Sequence, residues 1–158
     1  MPDPPPSTPT YVERLSPPAG LWVAVWFGAL VLGISFYAAL GPVAGLLALL
    51  VPAVLLSTVL SRSAALVAVD GGDLVAGPAR VPVSALGPAR ALTPDESRRL
   101  RGPESDPAGY HLIRGWVPAG VRADVVDPGD PTPYWFVASR RPAELAAAIE
   151  AARAAGRP

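Results

Sequence analysis

The dominant pattern along the chain is an apolar block that no charge interrupts. Residues 15–61 contain no Asp, Glu, Lys, Arg or His, and the pair Gly41-Pro42 divides them into two stretches, 21–40 and 43–60. A helix rises about 1.5 Å per residue, so each stretch can cover the roughly 30 Å of hydrocarbon in a bilayer. Gly-Pro is a strong breaker of regular structure. The pattern therefore predicts a tight hairpin of two transmembrane helices within residues 19–61.

Two other interpretations of the apolar block fit less well. A helical hairpin buried in a soluble protein would need more apolar surface around it than the remaining residues supply. The apolar region of a cleaved signal peptide is about 7–15 residues long, much shorter than this block. We therefore expect the hairpin to have the lipid bilayer as its partner.

The flanks of the block predict its orientation. Arg14 and Arg62 lie at its two ends, whereas the connection near Gly41 carries no charge. The positive-inside rule then places both termini in the cytoplasm and the chain in the inner (plasma) membrane as a multi-pass protein. Residues 1–18, with their Pro-rich start, predict a disordered tail.

Small residues recur at four-residue spacing within the block. The pairs are Ala24 with Gly28, Ala29 with Gly33, and Gly41 with Gly45. Such pairs let helices approach closely, either within one hairpin or between two protomers.

Residues 62–158 alternate between short apolar runs and turn signals. "ALVAVDGGDLVAG" indicates a β-hairpin, because both glycines of its turn tolerate a positive φ. Thr93 and Glu96 have the spacing of a capping box and predict a short helix. The stretch 142–155 carries one apolar stripe at helical spacing, which predicts a C-terminal helix. The predicted fold is a membrane α-hairpin followed by a small, mainly β barrel or sandwich with a C-terminal α-helix.

Several stretches carry a resemblance to known families. "YVERL" at 11–15, "ARVPVSALG" at 79–87, "RGW" at 114–116 and "DPGDPTPYWFVASRRPAELAAAI" at 127–149 resemble an uncharacterised family of actinobacterial two-span membrane proteins, known as a domain of unknown function. The arrangement of strands and final helix also looks like a bacterial PH-like domain over 62–158. The resemblance implies an architecture and a membrane location, and no activity.

Composition and charge narrow the classes of function. The net charge is zero and there is no Cys, so we expect no nucleic-acid partner and no thiolate or Cys-based metal chemistry. His111 is the single histidine, and the Asp124, Asp127 and Asp130 spacing matches no known metal loop. We expect no catalytic residues, no metal, no cofactor and no enzymatic activity.

Two clusters remain as candidates for binding. Arg98, Arg99 and Arg101 form a basic group that would meet anionic lipid headgroups. The aromatic group Trp116, Tyr134 and Trp135 lies near a Pro-rich loop and would suit a protein partner.

The sequence leaves three functions in order of preference. The first is a non-enzymatic membrane protein whose PH-like module contacts a protein partner or a second copy of itself. The second is binding or sensing of lipid headgroups by that module, and the third is an uncharacterised enzyme.

Overall fold

The structure, a computed structural model, describes residues 10–156, which divide into two compact units. The hairpin unit is Ser16–Ala64, and the β unit combines the residues up to Leu15 with those from Ala65 onward. One strand of the β unit, β1 (Tyr11–Leu15), therefore precedes the hairpin. This corrects the disordered tail that the sequence predicts over 1–18, because 11–15 form part of a sheet. The rest of that tail at 1–9 lies outside the described residues.

Two long apolar helices make up the hairpin unit. Helix α1 spans Ala19–Leu40 and helix α2 spans Pro42–Arg62. Gly41 makes the turn between them with a φ of 92°, a conformation that L side chains adopt at a cost. Pro42 follows in the first turn of α2, where its missing N–H removes no helical hydrogen bond.

The first sheet of the β unit is an antiparallel meander. Its strands follow the order β1-β2-β3-β4, where β2 is Ala65–Asp70, β3 is Asp73–Ala76 and β4 is Ala79–Pro82. Gly71 and Gly72 form the β2–β3 turn with φ values of 57° and 88°. Leu15 at the end of β1 is the register partner of Ala65 at the start of β2. The hairpin unit is thus an insertion between two paired strands.

The second sheet has the order β5-β7-β8-β6. Its strands are β5 (Leu86–Leu92), β6 (Tyr110–Leu112), β7 (Gly120–Val125) and β8 (Tyr134–Ala138). β7 is antiparallel to β5 and β8, whereas β6 is parallel to β8. β8 is therefore a central strand with neighbours on both sides.

Two helices complete the β unit. Helix α3 (Pro94–Leu100) begins with the predicted capping box, which is confirmed: the Thr93 hydroxyl accepts from the Glu96 N–H, and the Glu96 carboxylate accepts from the Thr93 N–H. Helix α4 (Pro142–Ala155) is the C-terminal helix, and it buries Leu145 and Ile149. The side chains of both sheets and of α4 share one hydrophobic core.

Candidate functional site

The hairpin unit presents apolar side chains on nearly all of its surface. Within α1 and α2 the buried residues are small: Ala29, Gly33, Gly45 and Ala53. The large ones point outward, as Phe27 shows with 67% of its surface exposed. Both helices are long and apolar enough to cross a membrane. The hairpin unit thus exposes large apolar side chains along both helices.

Close backbone contact holds α1 against α2. A Cβ added at Gly45 would lie 2.6 Å from the Tyr37 Cβ, and one added at Gly33 would lie 2.8 Å from the Leu49 Cβ. Two of the predicted small-residue pairs thus supply residues to contacts within the hairpin. Gly28, from the third pair, has nothing within 4 Å of its Cβ position, so it makes no close contact in the described chain.

A buried polar cluster ties β1 to the junction of β8 and α4. Glu13 is only 7% exposed, and its carboxylate accepts from the Tyr11 hydroxyl at 2.8 Å, the Ser139 hydroxyl at 2.6 Å and the Arg140 N–H at 3.0 Å. Burial raises the pKa of Tyr11 to about 12. The Arg141 guanidinium lies over the Tyr11 ring at 5.1 Å. These three donors all belong to the β unit, so the cluster is a structural clasp that joins distant parts of that unit.

The aromatic residues predicted to bind a partner are mainly core residues. Tyr134 and Trp135 are 3% and 7% exposed, and Trp116 is partly buried against the same core. The Tyr134 hydroxyl lies 3.0 Å from the backbone N–H of Asp106 and 3.0 Å from the His111 Nε2. We therefore assign Tyr134 and Trp135 a packing role, since both side chains are buried in the core.

The three arginines predicted to contact lipid have different roles. Arg101 links the end of α3 to the loop before β7, because its guanidinium donates to the carbonyls of Ser97 and Pro118 at 3.0 and 3.1 Å. Arg98 is exposed and lies 3.6 Å from the Asp95 carboxylate. Arg99 lines a cavity. The three side chains therefore make different contacts, and their binding of lipid stays a prediction.

Arg99 instead faces two arginines that the sequence does not bring together. A cavity of about 190 Å³ is lined by Arg99 of α3 and by Arg90 of β5 and Arg122 of β7. Arg90 and Arg122 are register partners across the two strands. Each occupies a polar position in its strand, but only the pairing of the strands reveals their proximity.

The Asp-rich loop after β7 is held by its own turns. Asp127 accepts from the Gly129 N–H and Asp130 from the Thr132 N–H, both at 2.9 Å. The second of these backbone bonds lowers the pKa of Asp130. Among residues 10–156 no group of three or more His, Cys, Asp or Glu side chains is arranged to hold a metal ion.

Comparison with known proteins gives one match. A family model described as "Protein of unknown function (DUF3093)" matches residues 10–149, which include both units. No curated protein and no solved structure matches the chain. The match confirms the predicted resemblance to a family of unknown function.

Proposed function

Because the chain belongs to this DUF3093 family, whose description assigns no activity, we propose a function from the physical chemistry of the two units. We propose that α1 and α2 cross the plasma membrane and that the β unit is a PH-like module for protein interaction or self-association at the cytoplasmic face. The proposal contains no catalytic step and no cofactor.

The outward apolar surface of the hairpin is the observation that carries the proposal. Large side chains along both helices, such as Phe27, Leu40 and Val43, are mostly exposed. Leaving one large apolar side chain in water costs about 1.5–3 kcal/mol relative to burying it. Summed over both helices, exposure to water would cost on the order of tens of kcal/mol, which a bilayer removes.

Strand pairing supports a hairpin whose ends emerge together. The chain leaves β1 at Leu15 and returns at Ala65, and these two residues are partners in the same sheet. A spanning pair with such ends has both of its ends on one side of the membrane. Arg14 and Arg62 flank the pair, and the positive-inside rule favours the cytoplasm for that side.

The order of elements supports a PH-like β unit. A four-stranded antiparallel meander is followed by a second sheet and by a C-terminal helix that packs into the shared core. Two features are additions to this simple order. β6 pairs with β8 in parallel, and the hairpin unit is inserted between β1 and β2.

An exposed apolar pair on the first sheet supports a protein contact. The side chains of Tyr11, Glu13 and Leu15 are buried, whereas Val12 on the opposite face of β1 is 48% exposed. Leu66 of β2 is 47% exposed. Leu66 is the register partner of Arg14, which lies on the same face of β1 as Val12. We assign the protein-interaction role to this pair, because contiguous exposed apolar surface marks interaction sites.

Fluorescent fusions in living cells test the proposal. We expect a C-terminal fusion of the full chain to localise at the cell boundary, and a variant whose residues 16–64 are replaced by Asn-Gly to lose that location. Two fusions of different colour should show energy transfer between full chains if the module self-associates, and Leu66→Ser should reduce it. Val126→Ser is the matched control, since Val126 is similarly exposed in the β unit. A full chain that stays in the cytosol would contradict the proposal.

A further inference from the structure

Two like charges lie directly across from each other in the second sheet. Arg90 of β5 is the register partner of Arg122 of β7. Directly opposed residues in an antiparallel pair project on the same face, and like charges at such positions destabilise the sheet. Within residues 10–156 no carboxylate pairs with both, because Arg90 contacts Glu96 and Arg122 contacts Asp124. Departures from local design rules of this kind are expected at functional sites.

A third arginine and a cavity complete the arrangement. Arg90, Arg99 and Arg122 surround the cavity of about 190 Å³, together with the apolar side chains of Leu92 and Leu100. A larger depression of about 600 Å³ is also lined by Arg90 and Arg122. The opposed pair therefore lines two depressions of the surface. We call the residues Arg90, Arg99 and Arg122 the arginine cleft.

One arginine of the cleft is held in place and another is free to move. Arg122 donates to the Asp124 carboxylate at 2.9 Å and lies 4.4 Å from the centre of the Tyr134 ring. The Arg90 contact with Glu96 is longer, at 3.3 Å, and the Arg90 side chain is 68% exposed. Exposed pairs of this kind contribute about 0–1 kcal/mol. Arg90 can thus exchange its partner at little cost.

The carboxylates of Glu96 and Glu104 line the same cavity and differ in their hydrogen bonding. Glu96 is already used by the capping box, where one of its oxygens accepts from both the N–H and the hydroxyl of Thr93 at 2.8 and 2.9 Å. Both bonds lower the pKa of Glu96, and the bond from the backbone N–H has the larger effect. The Glu104 side chain makes no hydrogen bond or ion pair within the described chain, and Glu104 lines the cavity. Its carboxylate disfavours a bare anion but accepts hydrogen bonds from hydroxyl groups.

We propose that the arginine cleft binds a phosphate ester that carries hydroxyl groups, with the phosphate between Arg90, Arg99 and Arg122 and a hydroxyl on Glu104. Guanidinium groups match phosphate oxygens with paired donors, and a bound phosphate removes the repulsion between the opposed pair. A glycerol-type lipid headgroup and a soluble polyol phosphate share this chemistry. The inference goes beyond the proposed function, because it concerns the β unit alone and holds whether or not the hairpin crosses a bilayer.

Thermal unfolding of the full chain in detergent micelles tests the site. The two probes are glycerol phosphate and micelles containing phosphatidylglycerol; sodium chloride at equal ionic strength and phosphatidylcholine micelles are their controls. The binding of a ligand to the native state raises the unfolding midpoint. We expect a rise for the unaltered chain with at least one probe. A rise only in phosphatidylglycerol micelles assigns the site to a lipid headgroup, and a rise with glycerol phosphate assigns it to the soluble ester.

Variants separate the cleft from the rest of the surface. Arg90→Gln and Arg99→Gln should weaken the apparent affinity at least tenfold, whereas Arg98→Gln, outside the cavity, should leave it unchanged. Without ligand, Arg90→Gln should unfold at the same temperature as the unaltered chain or higher, because it removes the repulsion. Arg99 makes no ion pair among the described residues, so its substitution should not prevent folding. Equal responses of Arg90→Gln, Arg99→Gln and Arg98→Gln, or no rise with either probe, would overturn the proposal.

Discussion

Replacing Glu13 with alanine should destabilise the β unit by about 3 kcal/mol, within the range expected for a disrupted buried polar network. The carboxylate accepts from the Tyr11 hydroxyl, the Ser139 hydroxyl and the Arg140 N–H at 2.8, 2.6 and 3.0 Å. Hydrogen bonds to a charged group contribute about 1.5–3 kcal/mol each. The full sum will not be lost, because the two hydroxyls already lie 3.2 Å apart and can pair with each other. Removing the buried charge also recovers part of its desolvation penalty.

The assay for Glu13→Ala is thermal unfolding in detergent micelles, followed by tryptophan fluorescence. Trp22 and Trp26 of the hairpin are replaced by Phe in every variant, so that the signal comes from the β unit. A loss of about 3 kcal/mol should lower the midpoint by roughly 10 °C or more for a unit of this size. The midpoint of Glu13→Gln should fall between those of the unaltered chain and Glu13→Ala, because the amide keeps the shape of the side chain and one acceptor oxygen.

The matched control for Glu13 is Glu144→Gln. Glu144 is exposed and pairs with Arg141 at 2.8 Å, and such surface pairs contribute about 0.2–1 kcal/mol. A midpoint for Glu13→Ala that is no lower than that of Glu144→Gln would refute the reasoning, because the clasp would then contribute nothing beyond a surface ion pair.

Three further predictions rest on local geometry. Gly45→Ala should weaken the packing of α1 against α2 by about 1–3 kcal/mol, because the added methyl group clashes with Tyr37. Gly28→Ala is the control and should leave the packing unchanged. Cross-linking between cysteines placed on the two helices measures the difference, and it should fall only for Gly45→Ala. Thr93→Ala should cost about 1 kcal/mol of stability through loss of the α3 cap, measured by denaturant unfolding against the unaltered chain. Burial raises the pKa of Tyr11 to about 12, so the native state favours the neutral phenol. The stability that the neutral phenol contributes is fully present below pH about 10 and should be lost as the pH rises towards 12. Tyr11→Phe should flatten that decline in the free energy of unfolding, and an unchanged slope would contradict the assignment.

Local and periodic signals predict part of this fold from the sequence. The two apolar helices can be predicted because a long uncharged run indicates a helix whatever the helix contacts. The Thr93 cap is visible because all of its groups lie within four residues, and the C-terminal helix is visible from its stripe of Leu145 and Ile149.

Long-range pairing accounts for most of what the sequence does not predict. β1 is a short strand whose partner, β2, lies beyond the whole hairpin. Its alternation places Glu13 on the same face as Tyr11 and Leu15, and that face is buried. The carboxylate is satisfied there because Ser139 and Arg140 supply donors from the other end of the chain. Only the folded contacts identify this clasp.

The binding residues show the same limit. The uninterrupted apolar run of β8 is typical of a strand covered on both faces, so a signal for the burial of Tyr134 and Trp135 was present in the sequence. No such signal exists for the arginine cleft. Arg90 and Arg122 meet through the register of β5 with β7, which single-sequence patterns do not specify.

Site-directed thiol labelling in intact cells tests the central claim, that the hairpin spans a membrane. The chain contains no native Cys, so Val43→Cys near the turn and Glu104→Cys in the β unit provide single, exposed probes. A membrane-impermeant maleimide should label the Val43→Cys variant in intact cells and the Glu104→Cys variant only after lysis. Labelling of both positions from the same side of the membrane would contradict the account.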